Sequence, residues 1–118
     1  MIQVKRAYVE AEDQDGYRYL IDRLWPRGIK RERLALTGWV NKAAPSSELC
    51  KWFDHDPERW EEFCQRYWAE LEARPGTWNE LLEAGRRGTI TLVYSERDEE
   101  HNNAVALKLF LEKQLQAG

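Results

Sequence analysis

Apolar and polar positions along the chain fall into short blocks with clear breaks between them. Ile2, Val4 and Tyr8 occupy even positions of Ile2-Gln3-Val4-Lys5-Arg6-Ala7-Tyr8, a period of two that predicts a strand. Acidic Glu10 to Gly16 reads as a loop, and Tyr17 to Trp25 as a second strand stopped by Pro26 and Gly28. Lys30 to Leu36, of mixed charge, fits a short helix or an irregular crossover. From Pro45 the period turns helical: Ser46 or Ser47 can cap a turn that carries Leu49, Trp52 and Phe53 on one face.

Asp56-Pro57-Glu58 is the sharpest predicted helix start, with Asp as N-cap, Pro at the first helical position and acid in the first turn. Trp60, Phe63, Cys64, Tyr67, Trp68 and Leu71 then recur at helical spacing as a core-facing stripe. Pro75-Gly76 breaks the chain, Trp78, Leu81 and Leu82 predict a further helix, and Gly85 to Gly88 ends it. Thr89 to Tyr94 is a β-branched strand. Asn103 to Gln116 closes as an amphipathic helix with Ala104, Leu107, Leu111 and Leu115 inward. Strands early, helices in the middle, then strand and helix leave crossovers long enough for parallel pairing. The expected fold is a small single α/β domain over residues 1–118, its short parallel or mixed sheet covered by helices.

Composition narrows the function classes. A net charge of −3 and a pI near 5.5 supply no general basic field for a nucleic-acid backbone or an anionic membrane surface. The basic run Lys30-Arg31-Glu32-Arg33 is interrupted by acid and reads as a solvated face. No apolar run approaches the roughly 18 residues of a membrane span, and no signal-like apolar core follows the first residues, so the chain reads as cytoplasmic. Cys50 and Cys64 lack the spacing of a zinc or redox motif, and Cys64 lies in a core stripe. Six Trp, five Tyr and three Phe suggest an aromatic core and, as an alternative, a protein-facing patch compatible with a homo-oligomer. The phosphate-loop, dinucleotide, nucleophile-elbow and zinc-protease motifs are missing, so no cofactor is predicted.

Polarity concentrates where a buried strand should be apolar. Asp22, Arg23, Trp25 and Arg27 stand at the end of the second strand, and Tyr94, Ser95, Asp98, His101, Asn102 and Asn103 at the end of the last. Ligands of open α/β sheets bind beyond the carboxyl ends of strands. If the two strands run parallel, both polar ends share one edge, and the free N–H groups opening the final helix favour an anion there. Arg23 or Arg27 could clamp a carboxylate or phosphate; alternatively Arg23 pairs with Asp22, Asp98 or Glu96 to tie the loops. His55 and His101, each near an acid, are candidate proton-transfer groups with Asp56 or Asp98, or simply partners of loop carbonyls. A divalent metal on His55, Asp56 and His101 is conceivable but has no supporting ligand spacing.

Together, Asp22-Arg23-Leu24-Trp25-Pro26-Arg27-Gly28, Ala44-Pro45-Ser46, Trp52-Phe53 with His55-Asp56-Pro57, and Asp98-Glu99-Glu100-His101-Asn102 resemble the short, YeaO-like branch of the DUF488 family over nearly the whole chain. The resemblance implies that these motif positions form a shared site, in a family without an assigned function. Longer members tend to show Cys-His-Arg where Asn102, Asn103 and Ala104 stand here. Covalent thiol chemistry at that point is therefore excluded, though the asparagines can still orient a ligand. The expectation is a pocket protein for an anionic, phosphorylated or nucleotide-like small molecule, with hydrolysis or group transfer open. The alternative is a non-enzymatic interaction or regulatory module whose polar residues are structural.

Overall fold

β-branched and alternating runs become four strands: β1 (Ile2–Arg6), β2 (Tyr17–Leu20), β3 (Gly38–Trp39) and β4 (Ile90–Tyr94). In the computed structural model, which describes residues 1–117, they form one parallel sheet in the order β1-β4-β2-β3. β4, the last strand in the chain, is central: Leu92 lies beside Val4 of β1 and Tyr19 of β2. The helices are α1 (Arg31–Leu34), α2 (Ser47–Phe53), α3 (Trp60–Ala73), α4 (Asn79–Arg87) and α5 (Asn103–Ala117). The fold is a small α/β domain.

Two local expectations need correction, and one strand has no counterpart in the sequence pattern. β1 stops at Arg6 rather than Tyr8, although the Ala7 N–H still donates to the Tyr94 carbonyl at 2.6 Å. β2 ends at Leu20, and the Ile21 N–H makes a last bond to Val93 O at 3.1 Å. The chain then bends before Asp22, so Trp25 belongs to a loop and not to the strand. Finally, β3 follows α1 as a two-residue strand beside Tyr19 and Leu20, too short to leave a periodic signal.

Caps account for the helix starts. Ser46 Oγ accepts the Leu49 N–H at 3.2 Å to open α2, and Asp56 Oδ1 accepts the Glu58 N–H at 3.0 Å. Pro57–Arg59 is a 3₁₀ turn that runs into α3. Phe63, Cys64, Tyr67 and Leu71 of α3 are buried as their spacing requires. They meet Ile2, Tyr19, Ile21, Ile90, Leu92 and Tyr94 on one face of the sheet, with α4 and α5 completing this core. Each such side chain contributes on the order of 1.5–3 kcal/mol by leaving water.

The opposite face is thinner: Ala7, Leu20 and Val93 pack under Ile29 and Leu34. Its remainder is covered by an ionic cluster. Asp15, 1% exposed, lies 2.8 Å from both Lys5 Nζ and Arg18 Nη1. Arg18 Nε also donates to the Leu34 carbonyl at 2.8 Å. The acidic Glu10–Gly16 segment is thus more than a solvent loop. Its 3₁₀ turn, Asp13–Asp15, carries the carboxylate that both inward cations share, and Glu12 gives Lys5 a second one at 2.8 Å. Gly16 then follows with φ +66°, where an added Cβ would sit 2.1 Å from the Thr89 carbonyl oxygen. Gly16→Ala is expected to cost well over about 1 kcal/mol, because neither the backbone angle nor the neighbouring main chain can yield; urea unfolding of the variant checks this.

Candidate functional site

Because every strand runs the same way, all four carboxyl ends open on one edge of the sheet. Tyr8 arrives there after β1, Asp22 to Arg27 after β2, and Tyr94 to Glu96 after β4. His55 joins from the α2–α3 connector, and His101, Asn102 and Asn103 from the start of α5. They surround a cleft of about 470 Å³ with Phe53 and Phe63 also in its walls.

On the β2 side, Arg23 does not pair with Asp22, Asp98 or Glu96. Its Nη2 donates to the Pro45 carbonyl at 2.7 Å, and its Nη1 to the Ser47 hydroxyl. These neutral acceptors orient the guanidinium without cancelling its charge. The Arg27 guanidinium has no hydrogen-bond or ion-pair partner among the described residues, while its carbonyl accepts the Tyr8 hydroxyl at 3.0 Å. Trp25 is anchored by its Nε1–H to Ile29 O at 2.7 Å and meets Trp39 edge-on at 5.6 Å. Trp39 in turn donates to the Asp22 carbonyl at 2.7 Å. Asp22 Oδ2 accepts both the N–H and the hydroxyl of Ser95, at 2.9 and 2.8 Å, linking the ends of β2 and β4. Burial raises the Asp22 carboxyl above its usual range, and the Ser95 bonds only partly oppose that.

On the β4 side, Arg6 pins the loop by donating to the carbonyls of Glu96 and Ser95, at 2.8 and 3.1 Å. Asp98 Oδ1 accepts the N–H groups of Glu100 and His101, and its Oδ2 lies 2.9 Å from His101 Nδ1. The Glu100 N–H and then the imidazole hold this carboxyl below its ordinary value. Asn102, 2% exposed, donates to Asp98 O and accepts the Val105 N–H, each at 3.0 Å, as the cap of α5. Its task in the fold is therefore visible: it orients a helix start whose Asn103 lines the cleft.

The two histidines stand in different settings. Asp54 and His55 both adopt left-handed backbone, at φ 49° and 55°, a conformation that Asp and His accept more readily than most residues. That double turn swings His55 toward the β4 loop, where Nδ1 lies 2.5 Å from Glu96 Oε2. His101 packs edge-on against Trp60 at 5.4 Å. Asp56 does not join them: it caps Glu58 and faces Arg59 at 3.7 Å. Among the described residues no group of three or more His, Cys, Asp or Glu side chains is placed to hold a metal ion. Asp98 supports His101 from beside the cleft without lining it.

Several lining groups escape a residue-by-residue reading. Tyr8 ends the first strand, and only the parallel topology tells that its end shares the edge with the other two. Cys50 reads as a helix residue, and Arg6, which braces the β4 loop from beside the cleft without lining it, as an alternate strand position. Burial raises the Cys50 thiol, with nearby Arg23 opposing, and pushes Cys64 up to about 11, so neither resembles an activated thiolate.

A family model described as the inactive DUF488-N3 subclade matches residues 1–118. An uncharacterised protein of Escherichia coli K12, YeaO, is 42% identical over 106 residues, which cover 90% of this chain and 92% of that protein. An uncharacterised protein of Mycobacterium tuberculosis H37Rv is 36% identical over 110 residues, 93% of this chain and 92% of the relative. No solved structure matches the chain. With a family match along its whole length and a YeaO relative at this identity, the chain belongs to the DUF488 family, in its short YeaO-like branch.

Proposed function

We propose that the cleft at the carboxyl edge binds an anionic small molecule, phosphorylated or nucleotide-like, and holds it without covalent catalysis. The supporting observation is the placement of Arg23 and Arg27 at one cleft with no carboxylate paired to either among the described residues. Guanidinium groups left in that state suit a planar carboxylate or a phosphate. Asn103, at the first turn of the 15-residue α5, adds the positive end of a helix dipole to the same wall. Tyr8, Trp25, Phe53 and Tyr94 offer apolar and stacking surface for the remainder of a ligand. Binding is favoured over turnover by the raised Cys50 thiol, by the asparagines at 102 and 103, and by the description of the subclade as inactive.

A thermal-shift screen against nucleotides and phosphorylated metabolites tests the reading. A ligand at 100 times its Kd stabilises the fold by about 2.7 kcal/mol, and Arg27→Ala is expected to remove most of that shift while leaving the unliganded Tm unchanged. A full shift retained in both Arg23→Ala and Arg27→Ala would count decisively against it.

A second reading draws on Leu24 and Trp39, 76% and 42% exposed beside the same loop. Exposed apolar groups of this size favour a protein partner or a second copy of the chain. Concentration-dependent sedimentation that Trp39→Ala abolishes, with no response to any anion, would move the conclusion there.

A further inference from the structure

We infer that the occupant of this cleft is an anion that also carries an N–H donor, and that Asp22 recognises that donor. The inference rests on the anion-binding reading above and names the ligand class more closely. Carboxylates at or beside the cleft differ in how their oxygens are used. Glu96 Oε1 accepts the Arg97 N–H at 2.7 Å, and its Oε2 meets His55. Asp98 spends Oδ1 on two backbone N–H groups and Oδ2 on His101. In Asp22 both Ser95 donors fall on Oδ2, leaving Oδ1 without a protein donor among the described residues. Asp22 lines the cleft, so that oxygen is available to a ligand.

A carboxylate oxygen is only an acceptor. Set among arginines in a site that takes anions, it repels a bare phosphate and disfavours any ligand unable to supply an N–H. Leaving a partly buried acceptor unpaired has its own penalty, which is how a polar site rejects an analogue that lacks one donor. The same Ser95 bonds fix the direction of the free oxygen, because Oδ2 is held by two donors from one rigid residue at the end of β4. Two chemistries carry the required pair of groups: an alkylammonium phosphate, and a nucleotide with an exocyclic amino group.

Two matched pairs of probes separate them. Phosphoethanolamine differs from ethyl phosphate only in its ammonium group. Adenosine 5′-monophosphate differs from purine riboside 5′-monophosphate only in its amino group. Isothermal titration on the wild-type protein is expected to show at least a tenfold preference for the N–H-bearing member of one pair. Asp22→Asn keeps an acceptor for Ser95, whose backbone N–H obliges the amide oxygen to take the Oδ2 place, and turns the free oxygen into a donor. That variant is expected to lose the preference while still binding the member without the N–H.

The discriminating pair identifies the ligand class. Equal affinity within both pairs would overturn this inference and leave anion binding standing. Binding of none of the four, with no response to the wider anion screen, would overturn both. Because the matched pairs are read on the unaltered protein, the result does not depend on the variant folding.

Discussion

Asp15→Asn is expected to remove about 3–5 kcal/mol of folding stability, the range for breaking a buried ion pair by deleting one partner. For a domain whose total stability is about 5–15 kcal/mol this is a large share. Asp15 meets Lys5 and Arg18 at 2.8 Å each; without it Arg18 would remain under the sheet with its charge uncompensated, and Lys5 would keep only the more exposed Glu12, 2.8 Å away. Arg18 is 3% exposed and its Nη2 already lacks a partner among the described residues, so it has no alternative acid to turn to. Urea unfolding near pH 7 reads the difference; a loss under about 1 kcal/mol, the size of an ordinary point substitution, would show the cluster to be ornamental. Burial alone would raise the Asp15 carboxyl, but the bonds from Lys5 Nζ and the Glu12 N–H, with the charge of Lys5 and the bond from Arg18, outweigh it and the net shift is downward. A carboxyl lowered on folding contributes stability that is complete above its unfolded value, about 3.9, and disappears as pH falls through the folded value. Lys5 runs the other way. Burial would lower it, yet its bonds to Asp15 and Glu12 raise it, so its contribution is complete below the ordinary 10.5 and is lost as pH climbs through the folded value. The wild-type protein should therefore lose an acid-side increment that Asp15→Asn does not have to lose.

Phe63→Ala should be comparably severe, at about 3–5 kcal/mol, because truncating a buried aromatic removes its transfer energy and leaves a cavity. Phe63 is 0% exposed. It stacks on Phe53 at 4.3 Å and on Trp60 at 5.6 Å, and leans on Tyr67 at 5.8 Å. Rings so tightly arrayed on α2 and α3 cannot all collapse into the gap. Phe63 also forms part of the cleft wall, so two readouts should move together. Calorimetry should show a fall in Tm on the order of 10 °C or more, and the loosened cleft should weaken any anion found in the screen. Phe63→Leu, which keeps most of the volume, is the control: it should recover the larger part of both losses. A stable Phe63→Ala protein with unaltered Tm would mean that the aromatic stack is not part of the cooperative core.

The elements with the strongest patterns were the ones readable in advance. The stripe from Trp60 to Leu71, the Asp56 cap and the β-branched run Thr89–Tyr94 each have a local physical cause, and each stands where its residues place it. β3 was not readable, because two residues have no period; it exists through pairing with β2. The end of β2 is not legible because Leu24 and Trp25 continue an apolar run past Asp22 and Arg23, whereas the chain bends at Asp22, whose carboxylate meets Ser95. The Lys5–Asp15–Arg18 cluster was hidden for a related reason: three charges spread over two strands and a loop look like solvent-facing residues until the sheet order is known. Within the candidate site, the motif positions told which residues to watch but not which way they point. Asp56 faces Arg59 instead of the histidines, and Arg23 reaches the start of α2 instead of an acid.

The central place of β4 also sets the order in which the chain can fold as it is made. Ile2 pairs with Ile90, and Tyr17 pairs with the same residue from the other side, so the earliest strand has no backbone partner until the latest one leaves the ribosome. At about 5–20 residues per second that delay is on the order of ten seconds. The sheet can therefore be completed only late, by placing β4 between β1 and β2.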